Sequence, residues 1–151
     1  MNPNFVLGPT LATDPGGSIS VNYVKAMVEG AKPASGSPII CDVRDVARAH
    51  GVAAEDPDAK GRYIVSQPGA VLPAEMAAAI KEAVADAGFA EEAARLPAAE
   101  APPKGETGRA RIDASRTAKE LGVSLRSPAE TLRDAARSLI KLGVAVPASK
   151  V

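Results

Sequence analysis

Tryptophan is absent and aromatic residues make up only 3% of the 151 residues, although 46% are apolar. Alanine supplies much of that apolar share, and an alanine buries little area. At roughly 25 cal/mol per Å² of apolar surface removed from water, such a core is thin. A single cysteine excludes an internal disulfide and suits a reducing compartment, so a cytoplasmic location is expected. With one histidine beside that cysteine, no metal site is assigned. Eighteen basic residues balance eighteen acidic ones, and neither sign is bunched, which argues against a nucleic-acid or membrane surface. No apolar run approaches the roughly 20 residues of a membrane span. The first residues are not a basic segment followed by an apolar one, so no secretory signal is expected.

What is present centres on Cys41-Asp42-Val43-Arg44-Asp45-Val46-Ala47-Arg48-Ala49-His50. Ile39-Ile40-Cys41 reads as a strand that turns directly into a helix, with Asp42 as its cap and Asp45 as the acidic partner of a capping-box variant. Val43, Val46, Ala47, His50 and Ala54 recur at the spacing of one helical face, expected to face inward. Arg44 and Arg48 fall on the other face, free to be solvated. Ala47 and Gly51 would let the helix lie close on a sheet.

Around this centre, Phe5-Val6-Leu7 before Gly8-Pro9 reads as a short buried strand. Ser18 or Ser20 can cap a helix with Val21, Val24 and Val28 on one stripe, closed by Gly30. Residues 61–66 form a β-branched strand. Pro73 opens a helix with Met76, Ile80 and Val84 inward, ending at Gly88. A short helix is expected from Ser115 to Leu121. Ser127-Pro128-Ala129-Glu130 is a capping box with proline at the first helical position, and its helix runs through Leu132, Ala136, Leu139 and Ile140 to Gly143. The sum is two to three short strands among about five helices, an α/β chain.

Three blocks carry a resemblance. Asp-Val-Arg-Asp-Val-Ala-x-Ala-His from Asp42, followed by Gly61-Arg62-Tyr63, resembles the dihydroflavonol-reductase and cinnamoyl-CoA-reductase branch of the extended short-chain dehydrogenases. Asn2-Pro3-Asn4-Phe5-Val6-Leu7-Gly8-Pro9 is similar to that family's Pro-x-x-Val-x-Gly-Pro segment, and Asp113-Ala114-Ser115-Arg116 with Lys119-Glu120-Leu121-Gly122 to its Asn/Asp-x-Ser-Lys…Leu-Gly segment. The resemblance covers the family's C-terminal half only. It implies the last strands of a Rossmann-type sheet with the start of a substrate-binding lobe over residues 1–89. An Ala/Pro/Gly-rich connection would follow over 90–111, a helical substrate-binding lobe over 112–146 and a frayed tail over 147–151.

The same resemblance implies NADP, or NAD, as cofactor and a small-molecule carbonyl substrate (aldehyde, ketone or thioester). It places Pro3 and Val6 along the nicotinamide, with main-chain groups holding the carboxamide. Ser20 matches the serine of the family's Asn-x-Ser near the cofactor, and Ser18 stands where the asparagine would. Thr10 and Leu11 would border the substrate pocket. Ser18 and Ser20 serve equally well as helix caps.

The catalytic parts of that family are not found. A dinucleotide cradle needs a Gly-x-Gly-x-x-Gly turn, and Gly16-Gly17 reads as an ordinary turn. Tyr23 and Lys25 are two apart rather than the family's four, so they point to different faces of a helix. His50 reads as a packed or surface helical residue. No residue is assigned as catalytic. The leading reading is therefore an incomplete NAD(P)-dependent oxidoreductase whose residues here form the substrate-pocket half. The alternatives are an inactive remnant or partner-binding subunit that needs a separate nucleotide-binding half, and an unrelated small α/β binding domain.

Overall fold

The computed structural model describes residues 1–14, 16–33, 36–99 and 111–148. Four short strands and six helices follow along them: β1 (Asn2–Pro3), β2 (Phe5–Leu7), α1 (Ile19–Val28), β3 (Ile40–Asp42), α2 (Val43–Glu55), β4 (Ile64–Val65), α3 (Pro73–Asp86), α4 (Ala90–Arg95), α5 (Ser115–Leu121) and α6 (Pro128–Lys141). β2 and β3 pair in parallel, Phe5 opposite Ile40 and Leu7 opposite Asp42, with α1 as the crossover between them. β1 pairs in parallel with β4, Asn2 opposite Ile64. The extended run from Asn2 to Leu7 thus serves two neighbours in turn, and the Gln67 amide donates to the Ile40 carbonyl at 3.0 Å to tie the two pairs together.

The helix signals in the sequence do what their chemistry requires. The Ser18 hydroxyl accepts from the Val21 amide at α1, and the Ser127 hydroxyl from the Glu130 amide at α6. The Glu75 carboxylate accepts from the Leu72 amide ahead of Pro73. Gly122 and Gly143 adopt positive φ where α5 and α6 end. α3 packs chiefly against α6 and α4. Together with α1, β2 and β3 these helices enclose a core that includes Val24, Val28, Ile40, Met76, Ile80, Val84, Leu132 and Leu139. A smaller cluster of Ala49, Tyr63, Val65, Leu121 and Val123 joins α2, β4 and α5.

Several expectations are corrected. Four strands replace two or three because Asn2–Pro3 pairs with β4 as β1, and six helices replace five because residues 90–95 form α4, which seats Ala93 in the core. Residues 100–110 of the expected connection lie outside the described residues, as do 149–151 of the expected frayed tail. The strand expected over 61–66 shortens to Ile64–Val65. α2 is turned from its expected face: Asp45 and Ala49 are buried, while Val43, Ala47, His50 and Ala54 are exposed. Nothing lies near Gly51 that would need its smallness. The cause is that the buried stripe holds two carboxylates, Asp42 and Asp45, each about 1% exposed, which periodicity of apolar residues cannot detect.

Those carboxylates also account for the arginines. Asp42 accepts the Arg44 amide at 2.9 Å as helix cap and grips the Arg44 guanidinium through Nε at 2.8 Å and Nη2 at 2.7 Å. Arg44 Nη1 reaches Asp134 of α6 at 2.8 Å, so Arg44 is paired rather than solvated. Asp45 does not close a capping box. It accepts from the Arg126 amide at 2.7 Å and from the Arg126 guanidinium. Glu130, expected to complete the α6 box, instead pairs with Arg126 at 3.3 Å.

Candidate functional site

The carboxyl ends of β2 and β3 open onto one groove, a cavity of about 680 Å³. Ligands of open α/β sheets bind outside such strand ends. The loop after β2 forms one wall, the first turns of α1 and α2 form two more, and Ala135 and Leu139 of α6 lie below. Gly8 makes the geometry possible. Its φ of 130° suits glycine, and a Cβ there would meet Val43 Cγ1 at 2.9 Å and Asp42 Oδ1 at 3.2 Å. The strand end can therefore lie directly on the α2 N-terminus. Beyond it the Thr10 amide donates to Ser138 Oγ at 3.0 Å, and that hydroxyl donates to the Ala135 carbonyl at 2.8 Å. The loop is thus pinned to α6.

Five of the six residues singled out in the sequence line this groove: Val6, Thr10, Leu11, Ser18 and Ser20. Pro3 does not. It is exposed in β1, paired with Val65. The Ser18 and Ser20 hydroxyls are 3.5 Å apart, and Ser18 is also the α1 cap, so the capping role holds in this structure. Sequence reasoning missed Val43, Arg44 and Ala47 of α2 and Ala135 and Leu139 of α6 as lining residues. For the α2 residues the signal is the shared Val43/Ala47 stripe, which apolar periodicity alone assigns to a buried face. His50 is exposed on α2, with Nδ1 2.8 Å from the Val46 carbonyl, and it does not line the groove.

The electrostatics of the groove are quiet. Among the described residues lining it, Arg44 is the one that carries charge. Burial pushes the Asp42 carboxyl up, but the Arg44 guanidinium, the Arg44 amide and the Thr131 side chain outweigh burial and hold it below its ordinary value. The Asp42 acceptor, opposed by desolvation and helped by Asp134, raises Arg44 above its usual range. Cys41, behind the groove on β3, is buried, and desolvation pushes its thiol up, away from reactivity. Among the described residues no cluster of His, Cys, Asp or Glu is arranged to hold a metal ion. Nor is any helix long and apolar enough to cross a membrane.

No protein-family model and no curated protein matches the sequence. Solved structures do. The yeast methylglyoxal/isovaleraldehyde reductase Gre2 complexed with NADPH matches with a TM-score of 0.69 and 24% identity, over 94% of this chain and 42% of that one. Gre2 from Candida albicans matches at 0.68 and 23%, over 94% and 44%. Vestitone reductase from alfalfa (Medicago sativa) matches at 0.63 and 22%, over 93% and 43%. The fold is that of the C-terminal portion of an extended short-chain reductase. The chain spans about two fifths of the length of the reductases it matches.

Proposed function

We propose that this chain forms the substrate-side wall of an NADPH-dependent carbonyl reductase. The observation that carries the reading is the convergence of Val6, Thr10, Leu11, Ser18 and Ser20 on one groove at the ends of parallel strands. A reductase of similar fold is seen in complex with NADPH, which supports NADP(H) over NAD. The donor set here fits the nicotinamide end of such a cofactor and not its phosphates: main chain at Val6 and hydroxyls of Ser18 and Ser20 are neutral groups, and Arg44 is already held by Asp42 and Asp134. When bound, the cofactor supplies the hydride that reduces a carbonyl carbon. Val6 would position the ring, the serine hydroxyls would hydrogen-bond at the cofactor edge, and Thr10 and Leu11 would border the substrate. Pro3 acts in this reading only by setting the backbone two residues ahead of β2.

The groove lining also exposes Leu11 (96%) and Val43 (39%). In the proposal a nucleotide-binding half, carrying the Gly-rich turn and the Tyr-x-x-x-Lys pair, covers them, in the cytoplasm. The test is NADPH oxidation with an aldehyde such as isovaleraldehyde. The 151-residue chain alone should show no turnover above buffer, for want of preorganised catalytic groups. Joined to the nucleotide-binding half of the yeast reductase, it should turn over. A folded, NADPH-binding chimera that stays inert towards carbonyls would overturn the reading.

A further inference from the structure

The loop at the mouth of the groove is held from a distant part of the chain. Pro9 carries no amide proton, so Thr10 is the first residue past Gly8 whose amide can tie the loop down. That amide donates to Ser138 Oγ at 3.0 Å across 128 positions, and the Ser138 hydroxyl donates to the Ala135 carbonyl at 2.8 Å. A helical serine commonly satisfies itself on a carbonyl of the preceding turn. Ser138 does so and still accepts from outside its helix. Among the described residues this is the one hydrogen bond that joins residues 9–12 to another element. The loop's second bond is internal: the Ala12 amide donates to Thr10 Oγ1 at 3.2 Å, which orients a hydroxyl that lines the groove. Without the Ser138 oxygen the Thr10 amide loses its partner and the loop its tie to α6. The other end of the groove does not depend on this bond, because Val6 is fixed in β2 opposite Cys41 of β3.

We propose that Ser138 is a positioning residue: acting through the Thr10 amide, it sets where Thr10 and Leu11 stand towards the substrate and leaves the cofactor end of the groove alone. Ser138 does not itself line the groove, so its effect passes through the loop. The proposal rests on the reductase reading for the substrate that the loop faces. The bond is read first in the 151-residue chain by amide hydrogen exchange. Ser138→Ala should speed exchange at Thr10 about twofold to tenfold, the range that one neutral hydrogen bond is worth. Alanine is the better helix former, so α6 is kept. Ser138→Thr retains the hydroxyl and should restore the protection.

The role is then read in the chimera with the yeast nucleotide-binding half. Ser138→Ala should raise the KM for isovaleraldehyde about twofold to tenfold while NADPH affinity stays near the unaltered value, and Ser138→Thr should bring the KM back. Ser127→Ala is the control for a merely structural role. It removes the cap of the same helix, where Ser127 Oγ accepts from the Glu130 amide at 3.2 Å, and makes no bond to the loop. It should lower the melting temperature yet leave both the KM and Thr10 exchange unmoved. Thr10 exchange indifferent to Ser138→Ala overturns the proposal. So does an equal rise in KM with Ser127→Ala, and so does a KM that Ser138→Thr leaves at the alanine value. A chimera inert in its unaltered form removes the reductase reading and this substrate role with it. A working chimera whose KM ignores Ser138→Ala removes this role alone, so the two failures are told apart.

Discussion

The two apolar clusters of this fold are held in different ways. The larger, beneath β2 and β3, is built by α1, α3 and α6 from Ile, Leu, Val, Met and Ala side chains interlocked over several elements. Its aromatic share is small: Phe5 and Tyr23 meet edge to face at its margin, centroids 5.6 Å apart. The smaller cluster has five buried residues, and polar contacts surround it. Thr117 Oγ1 donates to the Ile64 carbonyl at 2.6 Å, and the Tyr63 hydroxyl donates to Glu120 at 3.0 Å. Arg116 lies 4.4 Å above the Tyr63 ring, donates to the Lys60 and Arg62 carbonyls and pairs with Glu120. A chain poor in aromatics can fill one core with aliphatic side chains, but its second, thin cluster depends on directed bonds. The Asp45–Arg126 and Asp42–Arg44–Asp134 bridges join the two regions beside the groove.

That difference is open to test, beginning with the heaviest blow. Leu132→Ala in the larger cluster, at a fully buried site, should cost about 2–5 kcal/mol, read from the denaturant midpoint at unchanged slope. A loss as small as that of a surface substitution would show the aliphatic core to be loose. Arg126→Ala comes next. Asp45 keeps the amide of residue 126 but loses the guanidinium, and a buried acceptor left short costs about 1–3 kcal/mol. Chemical shifts should change at α2 and at the start of α6 while the α3 amides stay put.

Acid should loosen the Asp42–Arg44 bridge before the aliphatic core. Asp42 titrates lower in the folded chain than in the unfolded one. Its contribution to stability is therefore complete above about pH 4, the ordinary aspartate value, and is lost as pH falls through the lower folded value. Thermal melting followed from pH 7 downward should show that loss below about pH 4, and Asp42→Asn should flatten it. The smallest effect belongs to His50→Ala. His50 is exposed and bonds only within its own helix, so the change should stay within about 0.5 kcal/mol.

Much of this fold could be read from local chemistry. Ser18, Ser127 and Pro73 at helix starts, and Gly122 and Gly143 at helix ends, set boundaries through bonds to neighbours a few residues away. The groove was partly legible for the same reason, since Val6, Thr10, Leu11, Ser18 and Ser20 lie within fifteen residues of one another. What stayed hidden depends on partners far along the chain. Asp45 meets Arg126 across 81 positions, and Thr10 meets Ser138 across 128. With the acids of α2 turned inward, its small apolar residues are left to face the groove, the opposite of what an apolar stripe ordinarily signals.

The central claim is that the end of β2 serves a nicotinamide cofactor while the outer face of α2 away from the groove does not. Its most direct test compares Val6→Asp with His50→Ala in the chimera with the yeast nucleotide-binding half, measuring NADPH affinity and turnover in both. Val6 lines the groove, and an aspartate there puts an unpaired charge against a neutral ring site. The account predicts that Val6→Asp weakens NADPH binding and turnover together, with cooperative unfolding retained, and that His50→Ala leaves both near the unaltered values. Full activity in Val6→Asp together with loss of activity in His50→Ala would contradict it.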